Sequence, residues 1–359
     1  MMIFILVCLI SSLKSGTINQ PRGFFNTIVS YGFAFSYFVL SKNLFNSDKK
    51  VKIFLFFAIG IGIYSSLMAI LEHHGFYHLV FPPVSIGDIP TSAEGQISGI
   101  LGGSAASGSL IAMTLLITIF LIIRRNTRFK LRYLLYVSIP LMLMAIFYTY
   151  ERSAFLGLLI AILILGRFIR RLRKPLGLTF FLLTVIIALN WSNIKSSDRS
   201  VGGVGNPDNI YGRVVVMATS VNMFLDNPIF GSGLGSFYEK KDEYLTNVGS
   251  ISYKLGEKWS QHNSILGILS ELGLVGFIPY FLIFSLILIK SIRLFRVIPK
   301  QDGFNKELVI VFFGISTIYI VTASSIEVRA YEFLNIFFFT FAGIIVGLTK
   351  RIESVAKGM

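Results

Sequence analysis

Residues 265–289 read ILGILSELGLVGFIPYFLIFSLILI, twenty-five residues with a single ionisable side chain, Glu271. About 20 apolar residues suffice for a helix to cross the hydrocarbon core of a bilayer. The run is therefore a membrane span. A carboxylate inside it requires an arginine partner or a polar cavity. Nine more runs of this kind follow one another along the chain, at 1–13, 24–41, 53–71, 103–123, 133–150, 153–166, 176–192, 308–325 and 331–349. The first begins without a basic leader and shows no small-x-small cleavage site clear of the apolar run. It reads as a short or truncated span rather than a signal peptide. The sixth, AFLGLLIAILILG, is also short.

Composition agrees with the spans. Of 359 residues 54% are hydrophobic and only 14% charged, and the mean hydropathy is +0.72. Soluble domains carry about 25% charged residues. The expected fold class is an all-α polytopic membrane protein of about ten transmembrane helices, with one large outside loop containing a short amphipathic helix. The expected organisation is transmembrane helices 1–7 over residues 1–192, the large periplasmic loop over 193–264, and helices 8–10 with a cytoplasmic tail over 265–359.

The chain holds 33 Lys and Arg against 18 Asp and Glu, a formal net charge of +15. With the N-terminus placed inside, 22 of the 33 basic residues fall in the inside segments. Those segments contain only four acids, Asp48, Asp302, Glu307 and Glu353. They carry +18, and everything else carries −3. By the positive-inside rule both termini are cytoplasmic. The basic excess thus orients the chain and gives no argument for a nucleic-acid partner. The lone Cys8 excludes an intrachain disulfide and any zinc site needing two thiolates. Glu72, His73 and His74 lack the i, i+4 spacing of helix ligands, so no metal site is expected. There is no Walker A sequence, no H-E-x-x-H and no G-x-S-x-G. GSGLGS at 231–236 lacks the spacing and setting of a phosphate loop, and Gly231, Gly233 and Gly235 read as turn residues with positive φ.

Two outside connections are long, 72–102 and 193–264. The second contains a helical pattern at 212–225. Val214, Met217, Val221 and Phe224 form one apolar face there, suited to the membrane surface or to the bundle. Asn209 is the expected N-cap. That places Arg213 in the first turn, where the helix dipole favours an anion over a cation. An arginine there gives up helix stability unless an anion shares the site. Arg152, in FYTYERSAFLG, stands between the fifth and sixth spans on the outside face. On the residues alone it is either a snorkelling arginine paired with Glu151 or an anion site. His262 stands where the large loop returns to the membrane, and is either a structural histidine or a proton acceptor. Asn263 follows it, and Glu271 lies nine residues on.

Three segments, in this order, resemble the O-antigen ligase and polysaccharide polymerase superfamily of bacterial membrane proteins. ERSAFLGLLIAILI is similar to that family's S-R-x-x-x-L stretch, with Glu151 in place of the small polar residue. GRVVVMATSVNMFLDNPIFGSGLGSF is similar to its R-x-x-x-W helix followed by P-x-x-G-x-G-x-x-x-F, with Met217 at the tryptophan position and Pro228, Gly231, Gly233 and Phe237 in place. HNSILGILSELGLVGFIPY is similar to its H-N-x-x-L-x-x-x-x-E-x-G-x-x-G, matching at His262, Asn263, Leu266, Glu271, Gly273 and Gly276. The resemblance covers roughly residues 100–350.

It implies a GT-C-like enzyme working on an undecaprenyl-diphosphate-linked glycan at the outer face of the inner membrane, without nucleotide sugar, metal or other cofactor. Arg152 and Arg213 then match the family's two essential arginines, and His262 its essential histidine. The arginines would clamp the leaving diphosphate, and His262 would take the proton from the attacking acceptor hydroxyl, with inversion at the anomeric carbon. Asn263 and Glu271 are assigned to substrate binding, with Glu271 orienting the site. The implied partners are the lipid-linked glycan donor, a lipid or glycan acceptor such as lipid A–core, and membrane lipids. Ligase is the first reading and polymerase the alternative. A transporter is a third, argued against by the lack of duplication among the spans and by polar residues gathered at the outer surface.

Overall fold

The computed structural model describes residues 1–19, 23–81, 97–124, 129–196, 207–257, 259–299 and 301–357. In chain order the helices are α1 (Met2–Ser15), α2 (Phe24–Thr27), α3 (Phe33–Leu44), α4 (Asp48–His73), α5 (Ser104–Ile123), α6 (Phe129–Tyr148), α7 (Arg152–Phe168), α8 (Arg173–Leu189), α9 (Trp191–Lys195), α10 (Asp208–Asp226), α11 (Phe237–Tyr244), α12 (Ser264–Val297), α13 (Gly303–Ala323) and α14 (Glu332–Lys357). Among the described residues there is no strand, only an isolated bridge between Val248 and Ile251. The protein is an all-α polytopic membrane protein. Among the described residues seven helical stretches are long and apolar enough to cross a membrane, α2 and α3 counting as one, and Met2–Ser15 and Arg132–Tyr148 are shorter apolar helices. With the seventeen-residue α7, each expected span lies on a helix. Of the basic inside residues, Arg125, Arg128 and Lys300 lie outside the described residues.

The chain divides into two compact units. One comprises Lys42–Asn206, Leu294–Thr322 and Gly347–Met359. Its centre is α5, which is buried from Ala105 to Ile122. A helix apolar all round has no solvent face to offer, so it takes the middle. Small residues let neighbours approach it. A Cβ on Gly62 of α4 would lie 2.2 Å from Thr114 Oγ1 of α5, and one on Gly157 of α7 would lie 3.0 Å from Ile318 Cα of α13. The Ser109 and Thr322 hydroxyls pair at 2.6 Å between α5 and α13. At the basic end Arg124 donates to Glu307 through Nε at 3.0 Å and Nη2 at 2.8 Å.

The other unit comprises Met1–Ser41, Pro207–Arg293 and Ala323–Val346. Its second span is interrupted by a π-helical turn, Ile28–Gly32, with Ser30 and Tyr31 buried. Asn335 of α14 donates to Ser30 Oγ at 2.6 Å and to the Val328 carbonyl at 2.8 Å. The rings of Phe4, Tyr31 and Tyr280 meet at centroid distances of 5.5–5.8 Å.

The feature that positions the site is a break in α12. Gly273 has φ 58 and ψ −159 inside the longest helix of the chain. A broken span leaves backbone groups that hydrocarbon cannot satisfy, so protein must. The segment Pro228–Gly235 does this. Leu274 N donates to the Pro228 carbonyl at 2.9 Å and Val275 N to the Ile229 carbonyl at 3.1 Å. In return Ser232 N donates to Ser270 O and Gly233 N to Glu271 O, both at 2.9 Å. The two backbones touch. A Cβ on Gly231 would lie 2.3 Å from Glu271 C, and one on Gly273 would lie 2.5 Å from Ile229 C. Gly231, Gly233 and Gly235 have φ 70, 115 and 79, the positive values expected of them. Gly273→Ala should therefore lower stability by about 1–3 kcal/mol, from positive-φ strain and backbone overlap together. Thermal unfolding of the detergent-solubilised protein measures it, and an unchanged midpoint would mean the two strands of backbone are not held as described.

Candidate active site

α10 starts earlier than its pattern suggests. Ile210 N and Tyr211 N both donate to the Pro207 carbonyl at 2.9 Å, and the first helical residue is Asp208. Asn209 is thus inside the helix and is not its N-cap, and Arg213 lies in the second turn rather than the first. Asp208, not Arg213, is the charge that meets the positive end of the dipole.

The buried face of α10 also differs from the expected one. Val215, Val216, Thr219, Ser220 and Met223 are buried, while Met217 and Val221 are exposed and Val214 and Phe224 half-buried. Val216 and Met223 pack on Phe237 of α11, with Tyr244 and Trp259 against them. The helix is apolar on two sides. Its period names both, and only the tertiary partner selects one. The expected face is the one left more exposed.

Arg213 and His262 are brought together through Trp259. The guanidinium carbon of Arg213 sits over the indole, 5.7 Å from the ring centroid. The His262 imidazole meets the same indole edge-on, at 5.1 Å between centroids and 65° between planes. Gly212 makes room, because a Cβ there would lie 2.2 Å from Trp259 Nε1. Trp259 was not singled out from the sequence. Its signal was its place three residues before His262.

Asn263 is spent on the protein. Its Oδ1 accepts from Ile265 N at 2.9 Å and Leu266 N at 3.0 Å, capping α12, and its Nδ2 donates to the Ser324 carbonyl at 3.0 Å. Ser264 continues the clamp. Its hydroxyl donates to Ile326 O and accepts from Val328 N, both at 2.8 Å. The residue after His262 is thereby fastened to the connection between α13 and α14.

Glu271 is 1% exposed. Its Oε1 accepts from Phe237 N at 3.3 Å, at the N-terminus of α11, and its Oε2 accepts from Arg329 Nη1 at 2.7 Å. Arg329, also buried, reaches Glu327 with its other terminal nitrogen. Burial opposes the charge on Arg329, but the two carboxylates outweigh it and raise its pKa above the ordinary arginine value. A small cavity beside this trio, with room for about one water, is lined by Arg329, Glu327, Ser264, Tyr31, Thr27 and Leu234 among others. Of the two settings expected for Glu271, an arginine partner or a polar cavity, the arginine is found, and it is Arg329, which sequence reasoning missed.

Arg152 belongs to the other unit. It is the first residue of α7, exposed, after a turn in which Tyr150 takes φ 51. Glu151 does not pair with it. Its Oε1 accepts from Ser104 Oγ at 3.0 Å. Among the described residues no partner for Arg152 is found.

Residues 137–281 match the family model described as O-antigen ligase. That stretch, 145 of the 359 residues, is similar to the O-antigen ligase family. No curated protein matches it significantly. The ligase-like segment contains Arg152, Arg213, Trp259, His262 and Glu271, and ends before Arg329. The family points to an enzyme of the ligase or polymerase type in the bacterial inner membrane, acting with lipid-linked glycan and membrane lipid. Among the described residues no group of three or more His, Cys, Asp and Glu is gathered as a metal site would need.

Proposed function

We propose that the chain is a glycosyltransferase that moves a glycan from an undecaprenyl-diphosphate carrier to an acceptor hydroxyl, on lipid A–core or a similar acceptor, at the periplasmic face. The observation that carries this reading is the meeting of Arg213 and His262 on one indole within the ligase-like segment. In the reaction the acceptor oxygen forms a bond to the anomeric carbon as the bond from that carbon to the diphosphate oxygen breaks. His262 takes the hydroxyl proton as attack proceeds. Charge collects on the departing diphosphate, and a guanidinium fork matches its oxygens in two places at once. Arg213 is assigned that contact, and Arg152 the same role by its place in the family pattern. Attack opposite the leaving group inverts the anomeric centre. No step calls on a metal. Asn263 and Glu271 are read as positioning residues, since their oxygens are occupied by the protein's own donors.

Arg152→Ala and Arg213→Ala, compared at equal membrane level, should each lower glycan transfer by about a hundredfold. Lysine at either position should restore only part of it, because a point charge lacks the fork. Full activity of both lysine variants would end the bidentate contact, and full activity of both alanine variants would end the mechanism. Lipopolysaccharide from cells lacking the chain separates the two enzyme types. Bare lipid A–core with accumulated long donor identifies a ligase. A single repeat unit on core identifies a polymerase, the alternative the family equally allows.

A further inference from the structure

We propose that Trp259 is a positioning residue that holds the Arg213 guanidinium and the His262 imidazole as one unit. Its catalytic consequence rests on the transfer reading above. Its physical basis does not.

Three observations carry it. The indole touches both side chains, one over the ring and one edge-on. It is itself anchored, packing on the Val216, Met223 and Phe237 core, with its backbone N–H on the Gly256 carbonyl at 3.0 Å and Lys241 Nζ 3.4 Å from its own carbonyl. And α10 gives up helix propensity to seat it. Gly212 is a glycine inside a helix, where glycine is poorly tolerated, and a methyl group there would overlap Trp259 Nε1 and approach the Leu255 carbonyl at 2.8 Å. A tryptophan that only filled space beside the loop would not require that sacrifice.

The chemistry favours an indole here. The negative face of an aromatic ring attracts a guanidinium. A long arginine side chain samples many rotamers, and a fixed ring face selects those that reach the same place each turnover. When His262 takes a proton a second cation arises at the indole that Arg213 also meets, and an electron-rich ring between them favours both charges. Among the described residues, the other charged or titratable side chains recorded at this residue are Lys241, on its carbonyl, and Tyr244, in the same cluster.

The test uses the full-length protein carrying Trp191→Phe, which leaves Trp259 as the sole tryptophan. Trp191 is exposed, with Lys195 over its ring. A protonated imidazole quenches an indole it touches. Emission of Trp259 should fall as pH is lowered from about 8 to about 5, the range in which histidine charges. That fall should vanish in His262→Gln, and Gly212→Ala should weaken it by displacing the ring. A pH profile unchanged by His262→Gln would overturn the contact. In transfer assays Trp259→Leu should lose about tenfold or more in kcat, and Trp259→Phe should stay within about threefold of the parent. Wild-type kcat in Trp259→Leu would overturn the positioning role. Quenching that persists in a protein with no transfer activity would instead remove the functional reading and leave the coupling of the three side chains intact.

Discussion

Arg329→Met should destabilise the protein by about 3–5 kcal/mol, the largest stability loss expected of any single substitution at this site. Methionine fills the volume but leaves Glu271 and Glu327 buried as two carboxylates with no cation between them. The trio itself adds little net stability, because desolvating three charges costs about what their attraction returns. The penalty comes from the charges left behind. Glu327→Gln should cost far less, since Arg329 keeps its 2.7 Å contact with Glu271. Joining Glu271→Met to Arg329→Met should recover part of the loss by removing one stranded charge. Thermal unfolding in detergent and the yield of monodisperse protein measure all three. Equal stability of Arg329→Met and the parent would show that the trio does not hold α12 to the connection between α13 and α14.

The second large effect is on rate. His262→Ala should lower transfer by about 10²–10⁴-fold, the range ascribed to a positioned general base, while the amount of folded protein at the membrane stays near that of the parent. Stability is expected to survive because the fastening at this point is done by the neighbours. Asn263 caps α12 and Ser264 ties it to Ile326 and Val328. His262→Gln keeps the size of the side chain but offers no basic nitrogen, and should lose nearly as much. Should the glutamine variant transfer glycan at the parent rate, proton acceptance at this position is wrong.

Several features around the candidate site were legible in the chain because they are local. Arginine, histidine and glycine stand out against a sequence that is 54% hydrophobic. The glycines of 231–235 declared positive φ, since few other residues tolerate it. Glu271 announced either an arginine partner or a polar cavity, since a lone carboxylate in a span is too costly. The identity of that partner was not local. Arg329 lies 58 residues further on, across an intervening span. The available signal was that the connection between the last two spans, SSIEVRAYEF, contains an arginine between acids. Trp259 escaped notice for a different reason. An aromatic residue in a loop is common, and only its two contacts and the missing Cβ of Gly212 give it a role.

The sequence by itself determined the all-α membrane class and where the apolar helices lie, because length and hydropathy act through the bilayer and need no tertiary partner. The tertiary structure alone decided which face of α10 is buried, where α12 breaks and is mended by Pro228–Gly235, and which cation answers Glu271. Each of those is a choice between surfaces or partners that are equivalent along the chain. What separates them is the contact itself: Phe237 and Trp259 against one side of a helix apolar on two, a loop backbone supplying the hydrogen bonds that Gly273 frees, and a guanidinium brought by a distant turn to a carboxylate that lipid does not solvate.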